Sequence, residues 1–129
     1  MPKETDAVII ELGANDMLRG IDPKITRTAL TQILDRLTAQ RIRVLLCGMR
    51  AAPNLGGDYA RAFNSIFPEL AAAYAARGVL YYPFFLEGVA ADPKLNQADG
   101  LHPTAKGVAV IVANILPRVE DLVSRVTSR

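Results

Sequence analysis

The sequence predicts an α/β domain built on a parallel sheet, and three observations carry that reading. Short runs within residues 6–13, 43–49 and 79–83 are apolar at almost every position. Such runs suit strands buried on both faces rather than strands with one face in water. Each is followed by a segment whose apolar residues recur at helical spacing, and the connections carry the Gly, Pro, Asn and Asp of turns. Strand then helix, three times over, gives a right-handed parallel layer. The loops that leave its strands then emerge at one edge of the sheet.

The first strand is Ala7-Val8-Ile9-Ile10-Glu11-Leu12, closed by Gly13. Gly13-Ala14-Asn15-Asp16 reads as a polar loop at its carboxyl end, where open α/β sheets place their sites. Asp22-Pro23 opens a helix as N-cap and first helical residue, with Leu30, Ile33, Leu34 and Leu37 as its apolar stripe. Val44-Leu45-Leu46-Cys47 is the second buried strand, and residues 50–57 form the loop after it. A helix over 58–77 follows, with Asp58 and Tyr59 at its start and Phe63, Phe67, Leu70 and Tyr74 on one face. Pro68 interrupts it or starts a second helix. Gly78 is a good stop. The third strand, Val79-Leu80-Tyr81-Tyr82-Pro83, is shorter and more aromatic, as befits a place nearer the sheet edge. A long loop over 84–97 leads to a final helix over 104–126. Its expected stripe is Val108, Val112, Ile115, Val119, Leu122 and Val126, with a kink at Pro117.

Composition bounds the function. With 129 residues, half of them apolar, the chain is one soluble domain with room for a core. A net charge of +2 with scattered Lys and Arg argues against a nucleic-acid partner. The single Cys47 lies in an apolar run and reads as a buried core thiol, so neither an internal disulfide nor a zinc set of Cys and His is expected. No run reaches membrane-spanning length and the N-terminus has no signal-peptide core. As it stands the chain reads as cytosolic; an upstream signal segment would make the parent periplasmic or secreted.

The chemistry concentrates around the only histidine, in Ala98-Asp99-Gly100-Leu101-His102-Pro103. An Asp three residues before a His in a short loop can fix the imidazole tautomer and stabilise the imidazolium. On its own this is equally a solvated loop pair. Its place before a helix, on the same sheet edge as Asn15, favours a site. Asn15 is either a turn residue or an amide donor aimed at a developing oxyanion. Asp16 reads as structural, and Tyr81, Tyr82, Phe84 and Phe85 as core or acyl-pocket wall.

These residues resemble the SGNH (GDSL-type) hydrolases, in particular their arylesterase, thioesterase I and lysophospholipase L1 branch. Gly13-Ala14-Asn15-Asp16 matches the GxND block, and Asp99-Gly100-Leu101-His102-Pro103 matches the DxxH block in its DGLHP form. Gly48-Met49-Arg50, residues 59–67 and Pro83-Phe84-Phe85-Leu86 also look like this branch. The resemblance implies a flavodoxin-like three-layer α/β/α fold. It implies His102 as general base, Asp99 as its orienting partner and Asn15 as an oxyanion-hole side chain. Gly13, Asn15 and Pro103 would line the substrate site. The implied reaction is serine acyl transfer on a small ester, without metal or organic cofactor.

The family's first block, whose Ser is the nucleophile, has no counterpart here. The chain opens on what would be the family's third strand. It is therefore expected to be one domain over 1–129, the C-terminal two thirds of the fold, with the sheet cut to about three strands. Ser65, Ser124 and Ser128 do not stand at a strand-to-helix turn, and Gly57-Asp58-Tyr59 has Tyr where the block needs Ser. In the family's strand order the missing strand lies beside the third, which leaves an apolar edge at residues 7–12. That edge is expected to pair with a second copy, as a homo-oligomer, or with a separate N-terminal fragment. Three functions compete: a truncated or split ester hydrolase, an inactive module for binding or assembly, and an enzyme in which Asp99 and His102 activate water directly. Whether the chain by itself is an enzyme stays open at this point.

Overall fold

The computed structural model describes residues 1–127. In chain order the elements are β1 (Ala7–Ile10), α1 (Ala14–Leu18), α2 (Pro23–Ala39), β2 (Arg43–Cys47), α3 (Gly57–Tyr74), β3 (Leu80–Tyr82) and α4 (Ala105–Thr127). The strands form one parallel sheet in the order β1-β2-β3, with Ile9 opposite Leu45 and Leu46 opposite Tyr81. The expected α/β class is what the chain adopts. Among the described residues no helix is long and apolar enough to cross a membrane.

Strand β2 explains why its sequence has no polar position. Val44 and Leu46 point into a core closed by Leu34 of α2 and by Phe63 and Phe67 of α3. Leu45 and Cys47 point the other way, against Ile115 and Leu122 of α4. Successive side chains alternate between faces, so a strand with helices on both sides must be apolar throughout. Burying each aliphatic or aromatic side chain contributes about 1.5–3 kcal/mol. On the α3 side Phe63 and Phe67 add an edge-to-face pair at 5.5 Å.

Helix α2 begins as its sequence predicts: Asp22 Oδ1 accepts from the Lys24 amide at 3.0 Å, and Pro23 takes the first helical position. Other features depart from expectation. Residues 14–18 form a helix rather than a plain loop. Strand β1 stops at Ile10, leaving Glu11 and Leu12 beyond it. Helix α3 runs unbroken through Pro68, which lies on its exposed side, where the loss of one helical hydrogen bond leaves the packed face intact. Helix α4 runs as one helix through Pro117, in line with the single final helix expected there.

The stripe expected on α4 is also rotated. Gly107, Ile111, Ile115 and Leu122 are buried, Val119 and Val126 are half-buried, and Val108 and Val112 are exposed. The cause lies at the start of the helix. A Cβ on Gly107 would stand 2.2 Å from the Leu95 carbonyl oxygen, a distance no side chain tolerates. Gly107 therefore faces the preceding loop, and the rest of the helix turns with it.

Candidate active site

Two loops at the carboxyl edge of the sheet, together with α2 behind them, bound a cavity of about 590 Å³. The first loop leaves β1 through Gly13, whose φ of +110 is one that side-chain-bearing residues rarely adopt. A Cβ there would also stand 3.2 Å from the Phe67 ring. The turn lets Ala14, Asn15 and Asp16 start α1 at the cavity rim. Met17 of α1 is buried and accepts the Ala52 amide on its sulfur at 3.4 Å, which ties this loop to the one after β2. Asp16 Oδ2 accepts from the Thr26 hydroxyl at 2.8 Å and pins the loop to α2. Asp16 is thus occupied structurally, as its sequence context suggests. Asn15 lines the cavity from an exposed position.

The second loop delivers the histidine. Asn96 Nδ2 donates to the carbonyls of Val89 and Asp92 at 2.8 and 2.9 Å, and Asn96 bridges Pro103. The Gln97 amide donates to the His102 carbonyl at 2.7 Å. Within this small hairpin one carboxylate does two jobs. Asp99 Oδ1 accepts the amides of Leu101 and His102 at 2.9 and 3.1 Å, and its Oδ2 sits 2.6 Å from His102 Nδ1. An Asp that bonds the backbone two and three residues ahead forms its own turn, which is why the Asp-Gly-Leu-His spacing works.

The hydrogen bond from His102, with the two backbone amides behind it, holds the Asp99 carboxyl well below its ordinary range, at about 2. The carboxylate is therefore charged at any working pH. It accepts from Nδ1–H and leaves Nε2 as the basic nitrogen. His102 and Pro103 line the same cavity as Asn15, so the topology brings together residues almost ninety positions apart in the chain. Gly13 lines it too. The walls are apolar: Leu12, Leu30, Ile33, Met49, Phe85 and Leu86. Phe85 was singled out by its aromatic context. Leu12 and Leu30 carry no chemical mark in the sequence that separates a cavity wall from core.

The described serines stand elsewhere. Ser65 Oγ donates to the Ala62 carbonyl at 2.9 Å on α3, and Ser124 Oγ donates to the Asp121 carbonyl at 2.7 Å on α4. Ser128 lies outside the described residues. Cys47 is fully buried under α4, and burial, with the Glu11 carboxylate adding to it, pushes its thiol up to about 12. It is a core residue, as expected, and a poor nucleophile.

Known proteins place this geometry in context. Residues 2–110 match the GDSL-like lipase/acylhydrolase family. The chain is 36% identical over 115 residues to esterase TesA of Pseudomonas aeruginosa, covering 89% of itself and 56% of that protein. It is 37% identical over 117 residues to thioesterase 1/protease 1/lysophospholipase L1 of Escherichia coli K12, covering 91% of itself and 55% of that protein. A crystal structure of TesA superposes with a TM-score of 0.82 at 34% identity, covering 93% of this chain and 65% of the other. The chain thus spans about half the length of these sequence relatives. With most of its residues matched, it belongs to the GDSL-like lipase/acylhydrolase family.

Proposed function

We propose that this chain carries the acid–base and oxyanion groups of an ester hydrolase acting on short acyl or aryl esters, thioesters or lysophospholipids. The observation that supports this most directly is His102 held by Asp99 at the rim of an apolar cavity that also receives Asn15. In this reading a hydroxyl attacks the ester carbonyl carbon while His102 Nε2 takes its proton. The Asn15 amide donates to the oxygen as it becomes negative. Collapse expels the alcohol or thiol, which regains the proton from His102. Water then attacks the acyl intermediate with the same histidine as base. Gly13 and Pro103 shape the mouth of the cavity around the reacting ester.

In this reading the attacking hydroxyl is not one of those described at the cavity: Ser65 and Ser124 do not line it, and the Thr26 hydroxyl, which does, is donated to Asp16. The chain then accounts for the C-terminal two thirds of the family fold, and a serine-bearing segment completes it. The test is hydrolysis of 4-nitrophenyl acetate by the purified chain beside its His102→Ala variant, with and without the part of TesA that this chain does not match. The expected result is no difference alone and His102-dependent hydrolysis in the mixture. In the mixture Asp99→Asn should cost about a thousandfold to ten-thousandfold, since the imidazole loses its fixed tautomer. His102-dependent hydrolysis by the chain alone would place the nucleophile within it. A mixture as inert as the variant would make the chain a binding or assembly module instead.

A further inference from the structure

We propose that a pocket at the amino edge of the sheet, between the turns that end α2 and α3, binds a phosphate group, free or carried on a small monoester. The pocket encloses about 300 Å³ and is lined by Thr38, Arg41, Ile42, Arg43 and Arg77. It lies where β2 begins, whereas His102 stands at the edge where the strands end. The inference is separate from the hydrolase reading.

Arginines reach the pocket from three parts of the chain. Arg43 opens β2, Arg41 stands in the turn after α2, and Arg77 in the turn after α3. Arg77 is held in place. Its Nη1 donates to Asp35 Oδ1 at 3.2 Å, and its guanidinium lies 4.9 Å over the Tyr74 ring, whose hydroxyl also donates to Asp35. Gly78 makes room for Arg43, since a Cβ there would stand 3.3 Å from Arg43 Nη1. No carboxylate is among the described residues that line the pocket, and the Thr38 hydroxyl gives its proton to the Leu34 carbonyl at 2.8 Å. The side-chain donors at the pocket are therefore guanidinium groups.

The arginines are not needed to finish the helix above them. The Arg36, Leu37 and Thr38 carbonyls at the end of α2 accept the amides of Gln40, Ile42 and Arg41 at 3.3, 3.0 and 3.0 Å. Backbone donors thus satisfy that end. Arg41 takes a φ of +59, in the left-handed region where helices usually stop on Gly or Asn. A long cationic side chain at that position does nothing for the turn. Arg43 gives the second sign. Its Nε is buried and has no hydrogen-bond partner among the described residues. A buried donor without an acceptor is costly. A small turn of the guanidinium brings that donor to an oxygen held in the pocket.

The donor set selects the ligand. Guanidinium is a planar fork that grips two oxygens of one anion. A carboxylate has two oxygens in one plane, enough for one such fork. A phosphate points its oxygens in tetrahedral directions, so it can meet forks that arrive from β2 and from both turns together. A phosphate monoester also carries about −1.5 to −2 at pH 7, which suits more than one arginine. The last carbonyls of α2 oppose any anion, and charge-assisted bonds from several guanidinium nitrogens outweigh that partial charge. The volume stands at the small end of ligand pockets, which run from about 300 to 1,000 Å³, and so favours a phosphate on a small group.

The test titrates the full chain with inorganic phosphate and with glycerol 3-phosphate at constant ionic strength, by calorimetry and by amide chemical shifts. The expected result is saturable one-to-one binding that moves the Ile42 and Gly78 amides. Arg43→Lys keeps the charge but loses the fork, and should weaken binding by about tenfold or more. Arg41→Gln, at an exposed turn position, should do the same, and it keeps the test decisive where Arg43→Lys does not fold. Lys24→Gln, at the far end of α2, removes one charge and should leave binding unchanged. Tighter binding of inorganic phosphate makes the free ion the ligand, and tighter binding of the ester makes it a phosphoryl group on a larger molecule; either upholds the site. No saturation by either compound overturns the proposal. So do equal losses in all three variants, or shifts confined to Asn15 and His102.

Discussion

The two faces of the sheet carry the same kind of side chain and meet different fates. On one, α2 and α3 lie side by side and close completely over Val44 and Leu46. On the other, α4 lies alone, covers Leu45 and Cys47, and leaves Ile9 of the edge strand half in water. Helix α4 itself is apolar over more of its circumference than the sheet can cover. Apolar patterning tells a segment to be buried; the number of neighbours decides how much of it is. The more open face is also the one on which Ile9 of β1 lies, the strand that leads into the first site loop.

The comparison predicts unequal costs. Phe67→Ala on the closed face should remove about 3–5 kcal/mol, since the ring fills a fully buried space behind Gly13. Leu116→Ala on the open flank should stay within about 0.5 kcal/mol. Denaturant midpoints of the two variants check both. Equal losses would mean that the α4 flank is already covered in solution, and the contrast between the faces would fall.

A smaller effect tests the hinge between the faces. Gly107→Ala forces the start of α4 away from the Leu95 carbonyl and should cost about 1–3 kcal/mol through overpacking. Because Thr104 and Leu95 also bond there, at 2.9 Å between amide and carbonyl, the shift should loosen the His102 hairpin. Exchange at the His102 and Leu101 amides should quicken more than at β2.

The smallest effect is electrostatic. Asp99 is ionised in the folded chain down to about 2, below its ordinary 3.8. Its contribution to stability is therefore fully present above about pH 4 and lost as pH falls through about 2. Asp99→Asn should flatten that part of the acid unfolding curve. The group is exposed, so the change in midpoint should be slight. A curve unchanged by the substitution would mean that the Asp99–His102 pair is not formed in solution.

Much of this was legible in the residues. The strands announce themselves because a position buried on both sides tolerates no polar group. Asp22-Pro23 marks a helix start by local bonding alone, and Asp99 with His102 is a contact within one short loop. The approach of Asn15 to His102 could be inferred as well, since parallel strands deliver their following loops to one edge. Helix α1 was less legible, because a single turn after a glycine has the composition of a loop. Pro68 was misleading, since the apolar stripe of α3 packs on the far side from it and holds the helix together through the lost hydrogen bond.

By itself, then, the sequence determined the layer order, the closed core around Phe63 and Phe67, and the hydrogen-bonded pair that fixes the imidazole. These follow from periodicity and from contacts within a few residues. Tertiary structure alone decided the rotation of α4, which hangs on a 2.2 Å approach between Gly107 and Leu95 that no pattern encodes. It also decided which apolar residues stay in water. Val112 and Ile115 are equally apolar in the chain, and only the presence or absence of a neighbour beside the helix tells them apart.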